Sequence, residues 1–149
     1  NKALVVGGGL AGMTSAVNLA EQGFSVYLVE REKELGGMLK ERHFTAEGGD
    51  PSEFLEELLE KVKSHSSIEV LLGYQVVEHK GAVGNFQTRV AEVDGPRQMV
   101  IEHGTTIIAT GGREFHGSSY LLGADARVIT QAEMEKRLFA EDPYVMTAK

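Results

Sequence analysis

The chain has 149 residues, which suits one domain with its own core and is short for two. Hydrophobic residues make up 42% and charged residues 25%, with Asp+Glu 22 against Lys+Arg 15 and a formal net charge of -7. That acidic balance without a basic stripe argues against a nucleic-acid surface, and no apolar run approaches the length of a membrane span. With no cysteine in the chain, disulfides, thiolate nucleophiles, cysteine-bound zinc and iron–sulfur ligation are excluded within it.

Residues 3–6 are a short, wholly apolar run, as expected for a buried parallel strand. Gly7-Gly8-Gly9 follows as a tight turn, and residues 10–22 have helical spacing, with Ala11, Ala16, Val17 and Ala20 as the expected inner face. Gly23 suits the position just past a helix end. Ser25 to Val29 reads as a second strand, which completes a βαβ unit in the first thirty residues. The stretch from Glu30 to Gly49 is expected to be largely irregular. Asp50-Pro51-Ser52-Glu53 opens a helix as a capping box with proline at its first position. Its apolar stripe is Phe54, Leu58 and Val62, with Leu55 and Leu59. Residues 68–72 and 74–79 are strand-like, and 85–102 alternates around a turn at Asp94-Gly95-Pro96, as in a small antiparallel hairpin or meander. Thr105 to Ala109 returns as a buried strand that ends in Thr110-Gly111-Gly112. A second capping box, Thr130 to Glu133, opens a helix near 131–139, and the tail from Glu141 has no strong pattern.

Gly7-x-Gly9-x-x-Gly12 lies between a strand and a helix, the context in which this spacing binds a dinucleotide. Gly7 permits the turn, Gly9 allows close approach of a pyrophosphate, and Gly12 lets the helix pack near the strand. The phosphates would meet free N–H groups and the positive end of the helix dipole. Glu30 ends the second strand, 18 residues beyond Gly12, where a carboxylate can accept both hydroxyls of an adenosine ribose and repel a 2′-phosphate. These features indicate a dinucleotide without choosing between FAD and NAD.

Two further segments bear on that choice. Glu30-Arg31-Glu32-Lys33-Glu34-Leu35-Gly36-Gly37 resembles the FAD site of the two-dinucleotide-domain, glutathione-reductase-like flavoproteins. Thr106-Ile107-Ile108-Ala109-Thr110-Gly111-Gly112 resembles the later strand end of that superfamily, which borders the FAD pyrophosphate. Within it the chain is most similar to the A-type subunits of heterodisulfide reductase, on Ala3 to Met13, Val29 to Glu32, Val83 to Phe86, Ile107 to Gly111 and Val128 to Glu135. The resemblance implies an α/β fold: a Rossmann-type parallel sheet with helices on both faces and a small antiparallel meander in one crossover. It implies FAD as cofactor, held by Gly7, Gly9, Leu10, Ala11, Gly12 and Glu30, and by Gly36 and Gly37. Arg31, Met38 and Leu39 would contact ribose and pyrophosphate, the Val76 backbone the adenine, and Ala109, Thr110 and Gly111 the pyrophosphate border. The implied protein is a cytoplasmic flavoprotein oxidoreductase that passes electrons between NAD(P)H and an iron–sulfur or disulfide acceptor, with iron–sulfur subunits or domains as partners.

The chain departs from that pattern in three ways. No cysteine pair follows Gly36-Gly37, no Gly-Asp segment for the flavin end is present, and no second nucleotide domain is present. Residues 1–149 are therefore expected to be the FAD-binding domain of a longer flavoprotein. Alternatives are the FAD domain of a dienoyl-CoA reductase or glutamate synthase small-subunit type enzyme, whose Leu35-Gly36-Gly37-Met38-Leu39 segment is similar, and an NAD-binding or non-catalytic nucleotide-holding module. His43, His65, His79, His103 and His116 show no metal-ligand spacing, so no metal site is expected. Ser15, Ser118 and Ser119 lack the Gly-x-Ser-x-Gly setting of a nucleophile. His43 reads as an exposed loop histidine and Arg113 as a surface arginine within reach of a cofactor phosphate; no catalytic residue is assigned.

Overall fold

A computed structural model of the chain describes residues 2–117 and 119–147; Ser118 lies outside them. Lys2–Val6 (β1), Ser25–Glu30 (β2), Ile68–Leu72 (β3) and Thr105–Ile108 (β7) form a parallel sheet in the order β3-β2-β1-β7. Tyr74–Ala82 (β4), Asn85–Glu92 (β5) and Gln98–His103 (β6) form a separate antiparallel sheet in the order β4-β5-β6. The helices are α1 (Leu10–Glu21), α2 (Pro51–Ser64), α3 (Gln131–Phe139) and the short α4 (Pro143–Met146), with 3-10 turns at Gly37–Glu41 and Ser119–Leu121.

The strand order explains what covers each face. From β1 through β2 to β3 the chain steps in one direction, with α1 and α2 as the connections. Right-handed crossovers in one direction place both helices on one face. There Met13, Ala16, Val17 and Ala20 of α1 and Leu55, Leu58 and Val62 of α2 bury against Val5, Val26 and Leu28. From β3 the chain must return past β1 to β7, the opposite direction, so the same handedness puts this connection on the other face. The antiparallel meander fills it: Val90 and Ile101 pack on Leu4 and Val29. Of the two faces expected to carry helices, the second is thus covered by the meander. The alternation in β1 and β2, with Val5 and Leu28 on one side and Leu4 and Val29 on the other, explains why both strands read as unbroken apolar runs.

Local structure sharpens several expectations. Ala11 is exposed, and Gly12 and Met13 take its place on the inner face of α1. Phe54 is exposed too, because Leu55, Leu58 and Val62 already fill the stripe of α2. Only half of each capping box forms. Asp50 accepts from the Ser52 N–H at 2.8 Å. Thr130 accepts from the Glu133 N–H at 3.2 Å, while the Glu133 carboxylate turns instead to Arg137. The strand-like residues 74–79 belong to the meander, whose first hairpin turns at Val83-Gly84 between the paired Ala82 and Asn85. The tail contains α4, capped by Asp142 with Pro143 at its start, the same signal that opens α2.

Candidate dinucleotide-binding site

The sheet order reverses at β1, between β2 and β7, and the C-terminal ends of these strands form the crevice where open α/β sheets bind ligands. Gly7 leaves β1 at φ 110, its N–H donating to the Val29 carbonyl at 2.8 Å. A Cβ there would collide with the Ala109 carbonyl, and one at Gly12 with the Gly7 carbonyl. Both glycines are therefore demanded by the packing of strand, turn and helix. Gly8 is demanded too, since a Cβ would meet the Leu35 side chain and stand 2.9 Å from the Glu30 carboxylate. The spacing rule passes over Gly8, and only the run of three glycines hints at it.

Gly9 is different. It has ordinary extended angles, φ -79 and ψ -172, and a Cβ would meet no heavy atom within 4 Å. No described residue fills the space that its missing side chain leaves. Gly9 is also the N-cap of α1, and no side chain caps that helix. The N–H groups at Leu10 and Ala11, both exposed, thus head an uncapped helix over an open cradle. This fits an anionic ligand at the turn, and the donor set fits the pyrophosphate of a dinucleotide.

Glu30 stands beside the cradle. Its Oε2 accepts from the Gly8 N–H at 2.5 Å and its Oε1 from the Glu32 N–H at 2.8 Å. The carboxylate thereby fixes the glycine turn, and its remaining lone pairs are available to two ribose hydroxyls. Arg31 next to it is exposed and pairs with Glu32 at 3.2 Å.

The loop after Glu30 closes over the turn. Leu35 is buried in the core beside α1 and α2, and the Gly36 N–H donates to the Gly8 carbonyl at 2.8 Å. Gly36 (φ 117) and Gly37 (φ 53) both occupy the left-handed side, and a Cβ on Gly37 would stand 3.0 Å from the Gly9 Cα. A 3-10 turn then runs from Gly37 to Glu41 through a region expected to be irregular, with Met38 exposed and Leu39 packed on the core. The Ala109 N–H donates to the Val6 carbonyl at 2.8 Å, which brings Ala109, Thr110 and Gly111 alongside Gly7. Val76 sits farther off on β4, packed on the Leu4–Val29 cluster. The Gly73 N–H, donating to the Glu32 carbonyl at 2.9 Å, brings the start of that strand to the Glu30 corner. Arg113 is exposed, whereas His43 is half-buried and stacks on Phe139 with ring centroids 4.0 Å apart.

No helix among the described residues is long and apolar enough to cross a membrane. The chain is 40% identical over 90 residues to a heterodisulfide reductase-like protein of Archaeoglobus profundus, covering 60% of this chain and 13% of that protein. It is 36% identical over 91 residues to a CoB–CoM heterodisulfide reductase iron–sulfur subunit of Methanopyrus kandleri, covering 60% and 14%. Among solved structures, L-proline dehydrogenase from P. horikoshii superposes with a TM-score of 0.64 at 24% identity, covering 74% of this chain and 22% of that one. Thioredoxin reductase from Giardia duodenalis does so with a TM-score of 0.55 at 20% identity, covering 74% and 30%. Both structural likenesses concern the fold. The family model for pyridine nucleotide-disulphide oxidoreductases matches residues 1–138, and the chain belongs to that family.

Proposed function

We propose that residues 1–149 are the FAD-binding domain of a longer flavoprotein oxidoreductase, gripping the ADP half of the cofactor. The observation that carries this reading is the open cradle at Gly9 over an uncapped helix N-terminus, with the Glu30 carboxylate beside it. Gly7, Gly9, Leu10, Ala11 and Gly12 would hold the pyrophosphate through backbone N–H groups. Glu30 would accept from the ribose, with Arg31, Met38 and Leu39 around it. Gly36 and Gly37 would let the chain pass closely, Val76 would lie toward the adenine, and Ala109, Thr110 and Gly111 would border the phosphates. The carboxylate at Glu30 would also disfavour a 2′-phosphorylated nucleotide. The bound flavin would supply two-electron redox chemistry; these residues supply orientation and a fixed electrostatic setting.

In the whole protein the electrons would pass between a nicotinamide nucleotide and an iron–sulfur or disulfide acceptor. The names of the two relatives, one heterodisulfide reductase-like and the other the iron–sulfur component of such a reductase, support that direction. Iron–sulfur subunits or domains are the partners this implies, and a cytoplasmic location goes with it. Titrating FAD, ADP and NAD into the purified chain by calorimetry tests the cofactor assignment. FAD and ADP should compete for one site; NAD binding much more tightly than FAD would overturn it.

A further inference from the structure

The loop from Arg31 to Asp50 is long, and its first part alone is anchored by the glycine turn. Leu39 then packs on the core, and beyond it the next anchor comes from far along the chain. Glu135 on α3 accepts from Arg42 Nη1 at 2.6 Å and from the backbone N–H of His43 at 2.8 Å, across 93 and 92 residues. The Glu135 side chain is 18% exposed and that of Arg42 34%, so this is a half-buried pair. Phe139, one helical turn on, stacks on His43 with an interplanar angle of 8° and meets Phe44 edge-on. The N–H of His43 first, then Arg42, holds the Glu135 carboxyl below its usual range.

The other end of α3 grips the second loop of the site. The Ala132 N–H donates to Glu114 Oε1 at 3.0 Å, three residues beyond Gly111. The Ala132 N–H and then the Thr130 hydroxyl hold that carboxyl low. No residue of α3 is buried, so the helix adds nothing to the two cores. What it does is tie the 36–43 loop to the 109–114 loop.

We infer that α3 is a strut for the nucleotide site, and that Glu135 is a positioning residue that holds the Gly37–Glu41 turn over the Gly9 cradle. This rests on the nucleotide-binding reading above. A loop already ordered in its binding shape costs the ligand nothing to order, so loss of the strut should weaken affinity without unfolding the domain.

The test uses the 149-residue chain with ADP as the probe. Glu135→Ala should bind ADP about tenfold more weakly, the scale of one charge-assisted contact. Glu135→Gln, which keeps an acceptor for the His43 N–H, should fall between. In Glu135→Ala, amide exchange should rise at residues 37–43 and stay unchanged in β1, β2 and α1. ADP affinity within about twofold of the unaltered chain would overturn the inference, as would exchange rising uniformly across the domain. No ADP binding by the unaltered chain would instead overturn the nucleotide reading beneath it.

Discussion

Gly9 and Gly12 belong to one motif, yet alanine at each should fail in a different way. At Gly12 the new Cβ would overlap the Gly7 carbonyl, a backbone atom pinned by the sheet. Overpacking of that kind costs about 1–3 kcal/mol. At Gly9 the angles are ordinary and the Cβ points into space with nothing within 4 Å. Restricting the unfolded chain there gains about 0.4–1 kcal/mol, and losing glycine at the N-cap costs a similar amount, so the two offset. A domain of this size shifts its melting temperature by roughly 2–4 °C per kcal/mol. Gly9→Ala should therefore melt within a few degrees of the unaltered chain, while its methyl occupies the cradle and weakens ADP binding at least about tenfold, or roughly 1.4 kcal/mol. Thermal unfolding by circular dichroism and ADP calorimetry on both variants separate the effects. A Gly9→Ala chain that binds ADP normally, or melts as early as Gly12→Ala, would refute the reasoning.

Glu30→Ala leaves the N–H groups of Gly8 and Glu32 without their acceptor; a loss of about 1–3 kcal/mol in urea unfolding, with weaker ADP binding, is expected. In the meander, the Thr105 carbonyl can only accept, so His103 Nδ1 donates to it at 2.9 Å; the neutral ring then accepts at Nε2 from the Thr88 hydroxyl at 2.7 Å. The same Thr88 oxygen can accept from the more exposed His79 at Nδ1, also at 2.7 Å, and Thr88→Val should cost about 1–3 kcal/mol, chiefly by leaving the buried His103 Nε2 without its donor. Burial pushes the His103 imidazole below its ordinary 6.5, with the Thr105 carbonyl opposing and His79 adding to the shift. The unfolded chain thus binds the extra proton first: this contribution is full above pH 6.5 and lost as pH falls toward the lower folded value. Unfolding free energies measured between about pH 7.5 and 5.5 should show that decline, and His103→Gln should flatten it. The buried Thr106 hydroxyl has no hydrogen-bond partner among the described residues, so Thr106→Val should leave stability unchanged or raise it by up to about 1 kcal/mol in the same assay.

Much of the local geometry of the candidate site could be read from residues close in sequence. The glycine turn, the acid ending β2 and the strand returning at Thr105 are each marked by residue types that local physics requires. The failures fall where a partner lies far along the chain. Phe54 looks like core because it shares the stripe of α2, but which flank of a stripe is buried depends on the sheet beneath. Ala11 fits helical spacing yet is exposed in the first turn of α1, where the helix leaves its support. The clamp of Glu135 on Arg42 and His43 spans more than ninety residues, and neither periodicity nor motif signals it. The antiparallel meander is legible in the alternation of residues 85–102; that it covers a whole face of the parallel sheet follows from strand order, which emerges only once the sheet is assembled.

The central claim is that a pyrophosphate lies against the Gly7–Gly12 turn. Amide chemical shifts of the isotope-labelled chain, followed by NMR during ADP addition, test it most directly. The account predicts the largest shifts at Gly9, Leu10 and Ala11, with smaller ones at Glu30 to Glu32 and Gly36 to Gly37, saturating together. Saturating shifts that cluster elsewhere and leave Gly9, Leu10 and Ala11 unmoved would contradict it.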